Sequence, residues 1–158
     1  MNQAAVFSAG AGASQSSDYQ PRYNAGLLVD SDLKAAVAST KSEANPWTSF
    51  SLGRKRVWVD NIVIVNRGDS FAHQLKGAIV AVSAKYSGKE LMTKQDPEIY
   101  RIRLTNPGRA TTIRPGRWGE GQWAKNVMVY HLPTAQKPKA VMALQEVMVF
   151  SNDCKCPN

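Results

Sequence analysis

The chain has little cysteine, little histidine and no long apolar run, and each shortage excludes a class of protein. Its only two cysteines, Cys154 and Cys156, are too close together for an unstrained disulfide and too few for a tetrahedral zinc site. No window reaches the roughly 18 uninterrupted apolar residues of a membrane-spanning helix, and the first residues lack the pattern of a secretory signal. These absences predict a cytoplasmic protein that does not cross a membrane.

Catalytic motifs are also lacking. The two histidines, His73 and His131, lie in unrelated sequence contexts, and neither a nucleophile elbow nor a phosphate-binding glycine loop occurs. Asp96 and Glu98 could form a carboxylate pair, but beside Pro97 they are more typical of a solvated turn before a strand. We therefore predict a protein that is not an enzyme and that needs no cofactor or metal.

Positive charge is abundant and unevenly placed. The formal net charge is +8 over 158 residues. Residues 1–45 hold three basic and four acidic side chains, whereas residues 46–158 hold seventeen and eight. A folded domain of this sign attracts polyanions and accelerates their association. The alternative is a charge that only keeps the protein in solution.

Composition divides the chain into an arm, a domain and a tail. Residues 1–26 are rich in Ala, Gly, Ser and Gln without apolar periodicity, which is typical of a flexible arm. Residues 31–41 have the N-cap, apolar face and terminal charges of a short helix. We predict an arm with this helix over 1–45, a domain over 46–151 and a tail over 152–158. The arm could contact a neighbouring subunit and so form a homo-oligomer.

The strongest structural signal is β-strand. β-Branched runs and period-two alternation, separated by turn residues, predict five strands. They occupy residues 54–65, 77–86, 98–104, 126–132 and 139–150. Five such strands predict an all-β fold, a small antiparallel barrel with a minor helix, and a β-sandwich or jelly roll is the alternative.

Arginine and tryptophan alternate in the segment between the third and fourth predicted strands. Residues 106–125 contain glycines and two prolines and have no strand pattern, which predicts a functional loop. Cations offset phosphate charge and indole rings stack on bases, so this composition suits single-stranded nucleic acid. The candidate binding residues are Arg101, Arg103, Arg109, Arg114, Arg117, Trp118, Trp123 and Lys125, with further clusters at Arg54, Arg56 and Trp58 and at Lys85 and Tyr86.

These residues also have a purely structural interpretation. Tryptophans in β proteins are mostly buried, and Trp58 is as consistent with the core as with a ligand platform. Trp118 and Trp123 lie among glycines, which favours contact with a ligand. No basic helix suited to a major groove is present, so recognition of double-stranded DNA is not expected.

The C-terminal hairpin resembles that of tailed-phage single-stranded DNA-binding proteins over residues 121–151. The resemblance lies in a glycine-led strand, a short polar turn and a closing strand. The matching residues are Val127, Val129, Tyr130, Leu144, Gln145, Val147, Met148 and Val149. It implies an OB fold and a monomeric or dimeric protein that coats single strands in replication or recombination. The acidic tail typical of that family is absent here.

Two functions are therefore predicted from the sequence. The first is sequence-independent binding of single-stranded DNA or RNA, in a host cytoplasm if the protein is viral. The alternative is a virion structural protein, such as a capsid, decoration or tail subunit, whose arm and loop tryptophans contact other subunits. A protein-interaction module is a third possibility that no sequence feature specifically favours.

Overall fold

The protein is all-β, with antiparallel pairing throughout the named strands. A computed structural model describes residues 12–30, 37–53 and 55–151. The strands are β1 (Gly12–Gln15), β2 (Ala38–Ser39), β3 (Trp47–Ser51), β4 (Val57–Val59), β5 (Asn61–Val65), β6 (Ile79–Ser83), β7 (Tyr100–Arg103), β8 (Ala110–Ile113), β9 (Gln122–Ala124), β10 (Asn126–Tyr130), β11 (Ala143–Leu144) and β12 (Glu146–Phe150).

Helices are few and short. Within residues 12–30, 37–53 and 55–151, one α-helical turn, α1, spans Glu90–Thr93, and three 3-10 turns span Pro21–Tyr23, Ala25–Leu28 and Ala72–Leu75. Among the described residues, no helix is both long enough and apolar enough to span a bilayer.

Two larger sheets form the framework. The first has five strands in the order β1-β3-β10-β6-β7, and the second has three in the order β12-β5-β8. Two small ladders, β2 with β11 and β4 with β9, complete the pairing. Neighbours in the sheets are often distant in sequence, so connections cross between them, as is common in sandwiches with Greek-key connectivity.

The core lies between the two larger sheets because each contributes an apolar face. Side chains alternate along a strand, so Val127 and Val129 of β10 point to one face of the five-stranded sheet. Ile62 and Ile64 of β5 in the three-stranded sheet belong to the same buried cluster, as does Val147 of β12. This burial supplies the main favourable free energy of folding.

The opposite face of the five-stranded sheet is buried as well. Met128 and Tyr130 of β10 join a second cluster with Ile99 and with Leu91 of α1. The segment between β6 and β7 therefore packs back over the sheet that it leaves. Because both faces of β10 are covered, its sequence is apolar at successive positions and does not alternate with polar residues.

The fold is a β-sandwich and not the predicted barrel. The five-stranded sheet ends at β1 and β7, and the three-stranded sheet ends at β12 and β8, so neither sheet closes on itself. The barrel prediction is therefore wrong and the sandwich alternative fits. Strand propensity indicates where strands form, but closure depends on which distant strands pair.

Each of the five predicted strand segments contains observed strand, but several strands were not predicted. Residues 106–125 are not a strand-free loop, because they contain β8, which pairs with β5, and β9, which pairs with β4. These strands have four and three residues, respectively. Such short strands depend on a distant partner and leave little local pattern.

The N-terminal region is also more integrated than predicted. β1 pairs with β3, so residues 12–15 belong to the main sheet and not to a separate flexible arm. Of the predicted helix over 31–41, residues 31–36 lie outside the described residues, and Ala38–Ser39 form β2 instead. Residues 1–11 and the tail 152–158 also lie outside them, and a subunit contact through the arm stays a prediction.

The sandwich core makes a direct stability prediction. Ile64 is fully buried between the sheets, whereas Ile102 of β7 is 39% exposed. Ile64→Ala should lower the free energy of unfolding by about 2–5 kcal/mol, because it leaves a cavity in a packed core. Ile102→Ala should lower it by less than half as much, and urea denaturation measures both. Equal losses would contradict the assignment of the core.

Candidate functional site

Several sequence-predicted residues meet in a cleft of about 630 Å³ beside β4 and β9, which we call the Trp123 cleft. Its charged, amide and aromatic lining comes from four separate parts of the chain. These residues are Arg56, Lys85, Glu98, Gln122, Trp123 and Lys125. Only folding brings them together, since up to 69 positions separate them in the sequence.

Trp123 lines this cleft and packs against a second tryptophan, Trp58, which does not line it. Trp58 and Trp123 are directly opposite in the β4–β9 ladder, with ring centroids 5.5 Å apart and planes at 81°. This edge-to-face geometry is favourable for aromatic rings. The Trp58 indole N–H also donates to Asp60 Oδ1 at 3.0 Å. The Arg56 guanidinium lies 5.3 Å from the centre of the Trp123 ring, a cation–π distance.

Gly121 permits the close packing beneath this tryptophan pair. A Cβ at this position would lie 2.6 Å from the Trp58 indole nitrogen and 2.8 Å from the Val59 carbonyl oxygen. The backbone φ of +91° also lies in the region that favours glycine. Glycine is therefore required where the chain enters β9.

A polar network closes another side of the cleft. Tyr86 donates its hydroxyl hydrogen bond to Asp96 at 2.6 Å, and Lys85 Nζ lies 3.6 Å from Asp96 and 3.4 Å from Glu98. The Tyr86 hydrogen bond lowers the pKa of Asp96, with smaller effects from the Glu98 backbone and Lys85. Contact with Tyr86 and the charge of Glu98 raise the pKa of Lys85. Both carboxylates thus contact Lys85 and do not form an isolated catalytic pair.

Other predicted site residues do not join the cleft. Arg101 donates to the carbonyl oxygens of Leu91 at 2.7 Å and Lys94 at 2.6 Å, so it anchors the α1 segment. Arg103 donates to the Gly77 carbonyl at 3.4 Å. Backbone carbonyls therefore hold these two guanidinium groups, and neither residue lines the Trp123 cleft.

The loop tryptophan expected to bind a ligand is open to solvent. Trp118 is 83% exposed, and Arg117 lies 5.4 Å from the centre of its ring. Arg114 is exposed as well. Neither Trp118 nor these arginines line the Trp123 cleft. Arg54 lies outside the described residues.

A second polar and aromatic group, which sequence reasoning did not select, lies in the loop after β5. We call residues 66–75 the Arg67 loop. The Arg67 guanidinium makes a bidentate pair with Asp69, with Nε–Oδ1 and Nη2–Oδ2 distances of 2.6 Å, and Nη1 donates to Gln74 Oε1 at 3.3 Å. The hydrogen bond from Arg67 lowers the pKa of Asp69. The carboxylate and guanidinium therefore fix each other's orientation.

An aromatic ring lies next to this ion pair. Phe71 is 51% exposed, and the Arg67 guanidinium lies 5.0 Å from its ring centre. The ring of His73 lies 6.5 Å away, and its Nδ1 is 3.0 Å from the Ser70 carbonyl oxygen. The ring offers an apolar face to solvent, and ordered hydrogen-bonding groups lie next to it, which is the combination of surfaces that small-molecule sites use.

The Arg67 loop is tied to the sandwich at both ends. Asn66 is buried and donates from its side chain to the Ala72 carbonyl at 2.9 Å. Arg109, predicted to contact nucleic acid, instead donates to the Asn66 carbonyl oxygen and packs over Gly68. At the other end His131 Nε2 donates to the Gln74 carbonyl at 2.9 Å. A local signal for this loop did exist, since Arg67 and Asp69 are spaced closely enough for a bidentate pair.

Sequence comparisons provide no assignment: no known family model matches the chain, and no curated protein matches it. The resemblance of residues 121–151 to phage single-stranded DNA-binding proteins therefore stays a prediction, although the OB barrel that it implies is not the observed fold.

Three solved structures that share this fold are carbohydrate-binding proteins. A fucose-binding module of Streptococcus pneumoniae is 18% identical with a TM-score of 0.73, covering 96% of each chain. The lectin domain of lectinolysin, solved with Lewis b antigen, is 23% identical with a TM-score of 0.73, covering 96% of this chain and 99% of its own. A CBM32 module from Clostridium perfringens, solved with GalNAc-β-1,3-galactose, is 14% identical with a TM-score of 0.63, covering 89% and 95%.

These structures correct the predicted function and partner. They are sugar-binding modules, so both predicted functions, binding of single-stranded DNA or RNA and the virion structural role, are wrong. The physical reason for the first error lies in the arginines: several of them donate to backbone carbonyls and hold loops of the fold, a role that composition and charge do not distinguish from phosphate binding.

The His131 anchor predicts a pH dependence. Burial lowers the pKa of His131 below its ordinary value of 6.5. The hydrogen bond to Gln74 raises this pKa in part, and the positive charges of Lys137 and Arg103 lower it further. Below about pH 6.5 this histidine is protonated more readily in the unfolded chain than in the folded protein. The contribution of His131 to the free energy of unfolding is therefore complete above about pH 6.5 and is lost as the pH falls through the folded-state pKa. Thermal melts should show a smaller loss between about pH 7 and about pH 5 for His131→Gln than for the natural chain. His73→Gln, the exposed control, should keep the natural slope, and equal slopes for all three proteins would contradict this role of His131.

Proposed function

We propose that this protein is a non-catalytic carbohydrate-binding module that holds a neutral sugar at the Arg67 loop. The observation that carries the proposal is the half-exposed Phe71 ring beside an ordered Arg67–Asp69 pair. The fold that the chain shares with sugar-binding modules over nearly its whole length supports the same conclusion.

The chemistry of a sugar ring matches this arrangement. A pyranose has C–H groups that pack against an aromatic ring, and hydroxyl groups at its edge that both donate and accept hydrogen bonds. Phe71 offers the ring, Asp69 offers acceptors, and Arg67 and Gln74 offer donors. Asp69 is 53% exposed at its side chain, so its carboxylate can reach a ligand.

Preorganisation favours this loop over other exposed aromatic residues. The Arg67 side chain is only 16% exposed and is held by Asp69 and Gln74, so little rotamer freedom remains to be lost on binding. The anchors through Asn66, Arg109 and His131 fix the loop to the sandwich. By contrast, Trp118 has a single arginine neighbour among its ring contacts and is 83% exposed.

A binding role without catalysis agrees with these contacts. The carboxylates of Asp96 and Glu98 are both paired with Lys85, and Asp96 also accepts a hydrogen bond from Tyr86. Neither carboxylate belongs to the Arg67 loop. Binding a sugar requires contacts and hydrogen bonds but no proton transfer, so a module that only binds needs no general acid or base.

A single aromatic substitution tests the proposal. Phe71→Ala should weaken binding of neutral oligosaccharides at least about tenfold, because it removes the surface on which the sugar packs. The melting temperature should change little, since the ring is half exposed. Isothermal titration with a panel of neutral sugars that includes Lewis b and GalNAc-β-1,3-galactose gives the affinities.

Trp118→Ala is the matched control, because it also removes an exposed ring with an arginine neighbour. Its affinity should equal that of the natural chain. If Trp118→Ala weakens binding and Phe71→Ala does not, the sugar contact is not at the Arg67 loop. If the natural chain binds no sugar of the panel, the proposed function is wrong.

A further inference from the structure

We propose that the Trp123 cleft is a second binding site, and that it takes an acidic saccharide through a carboxylate or sulfate group. The cleft is distinct from the Arg67 loop, because none of its lining residues belongs to positions 66–75. Its volume of about 630 Å³ lies within the range of small-molecule sites.

The charges of the cleft determine the sign of its ligand. Lys85 is neutralised by Glu98 at 3.4 Å and by Asp96 at 3.6 Å. Arg56 and Lys125 form no ion pair with any carboxylate in the described ranges 12–30, 37–53 and 55–151. Lys85, Asp96 and Glu98 together carry a net charge of −1, so adding Arg56 and Lys125 leaves a net charge of +1 at the cleft. An oxyanion would balance this charge and give the Arg56 guanidinium a charged partner.

The position of the Arg56 guanidinium favours direct hydrogen bonds to an oxyanion over long-range electrostatic attraction alone. Its guanidinium lies 5.3 Å from the centre of the Trp123 ring, and Trp123 is in turn packed edge-to-face on Trp58. An arginine placed over an indole keeps its hydrogen-bond donors at the edge of its plane, where a carboxylate or sulfate can accept two of them. Gly121, which allows the Trp58 contact, is therefore part of what positions Arg56.

The remaining lining favours a sugar over a bare anion. The Trp123 indole is half-buried and adds apolar surface beside the cations. The Glu98 carboxylate also lines the cleft and can accept hydrogen bonds from hydroxyl groups, although it opposes a second negative charge nearby. A ring with one acidic group and several hydroxyls satisfies these contacts. The saccharide part of this inference rests on the proposed function, whereas the oxyanion part rests on the cleft alone.

The test compares two double variants of equal charge. Arg56→Ala/Lys125→Ala removes the two cations of the cleft other than Lys85, and Lys137→Ala/Lys139→Ala removes two exposed cations that do not line it. The probes are a sulfated heparin tetrasaccharide, a tetramer of galacturonic acid and the neutral tetramer of N-acetylglucosamine. Inorganic polyphosphate serves as an anion without a sugar, and isothermal titration measures every combination.

We expect the natural chain to bind at least one acidic tetramer, with an affinity that falls from about 50 mM to about 500 mM NaCl. The cleft variant should bind it at least about tenfold more weakly, and the control variant should bind it as the natural chain does. Arg56→Lys, which keeps the charge but loses the two-pronged donor, should give an intermediate loss. The sulfated and carboxylated tetramers show which acidic group the cleft prefers.

Three outcomes would overturn the inference: equal losses in both double variants, polyphosphate binding as tight as that of the acidic tetramers, or no binding of either acidic tetramer. Phe71→Ala separates this inference from the proposed function, because it should weaken neutral-sugar binding at least about tenfold and leave the affinity for the acidic tetramer unchanged. If the natural chain binds an acidic tetramer but no neutral sugar, only the proposed function is refuted.

Discussion

The apolar contact between the five-stranded and three-stranded sheets is the constraint on which the rest of the molecule depends. Val127 and Val129 meet Ile62 and Ile64 in one cluster, so the register of β10 and of β5 must place these residues inward. A shift of one residue would turn each apolar set to the wrong face. Because β10 is covered on both faces, its residues are fixed by packing from two sides.

This rigid frame allows short connecting segments to hold polar side chains in defined positions. The Arg67 loop leaves β5 at the edge of the buried cluster and is fastened by Asn66 at its start and by His131 near its end. The Trp123 cleft forms where the small β4–β9 ladder meets the segment after β6. Each of the two surfaces combines an aromatic ring with an arginine, but in the Arg67 loop the guanidinium is paired with Asp69 and in the cleft it is not. This difference underlies the proposal of a neutral ligand for one and an acidic ligand for the other.

The sequence predicted the all-β class and four of the five strands that have five residues, because the β-branched runs of β5, β6, β10 and β12 reflect burial directly. It did not predict the fifth, β3, which contains no β-branched aliphatic residue. It did not predict β8 and β9, whose few residues form strands only when β5 and β4 are already in place. The choice between barrel and sandwich failed for the same reason, since it is decided by long-range pairing. The cluster around Trp123 was partly predictable from the alternation of cations and aromatic residues. The role of Arg101 was not, because no local pattern indicates that its partners are the carbonyls of Leu91 and Lys94.

The central claim is that the frame presents the Arg67 loop to a neutral sugar, and nuclear magnetic resonance tests it most directly. The backbone amide spectrum of the isotope-labelled chain would be recorded while the tightest-binding neutral oligosaccharide is added. We expect the largest chemical-shift changes on residues 66–75, with the buried amides of β5 and β10 nearly unchanged. Shifts confined to another part of the surface, or none with any neutral sugar, would contradict it.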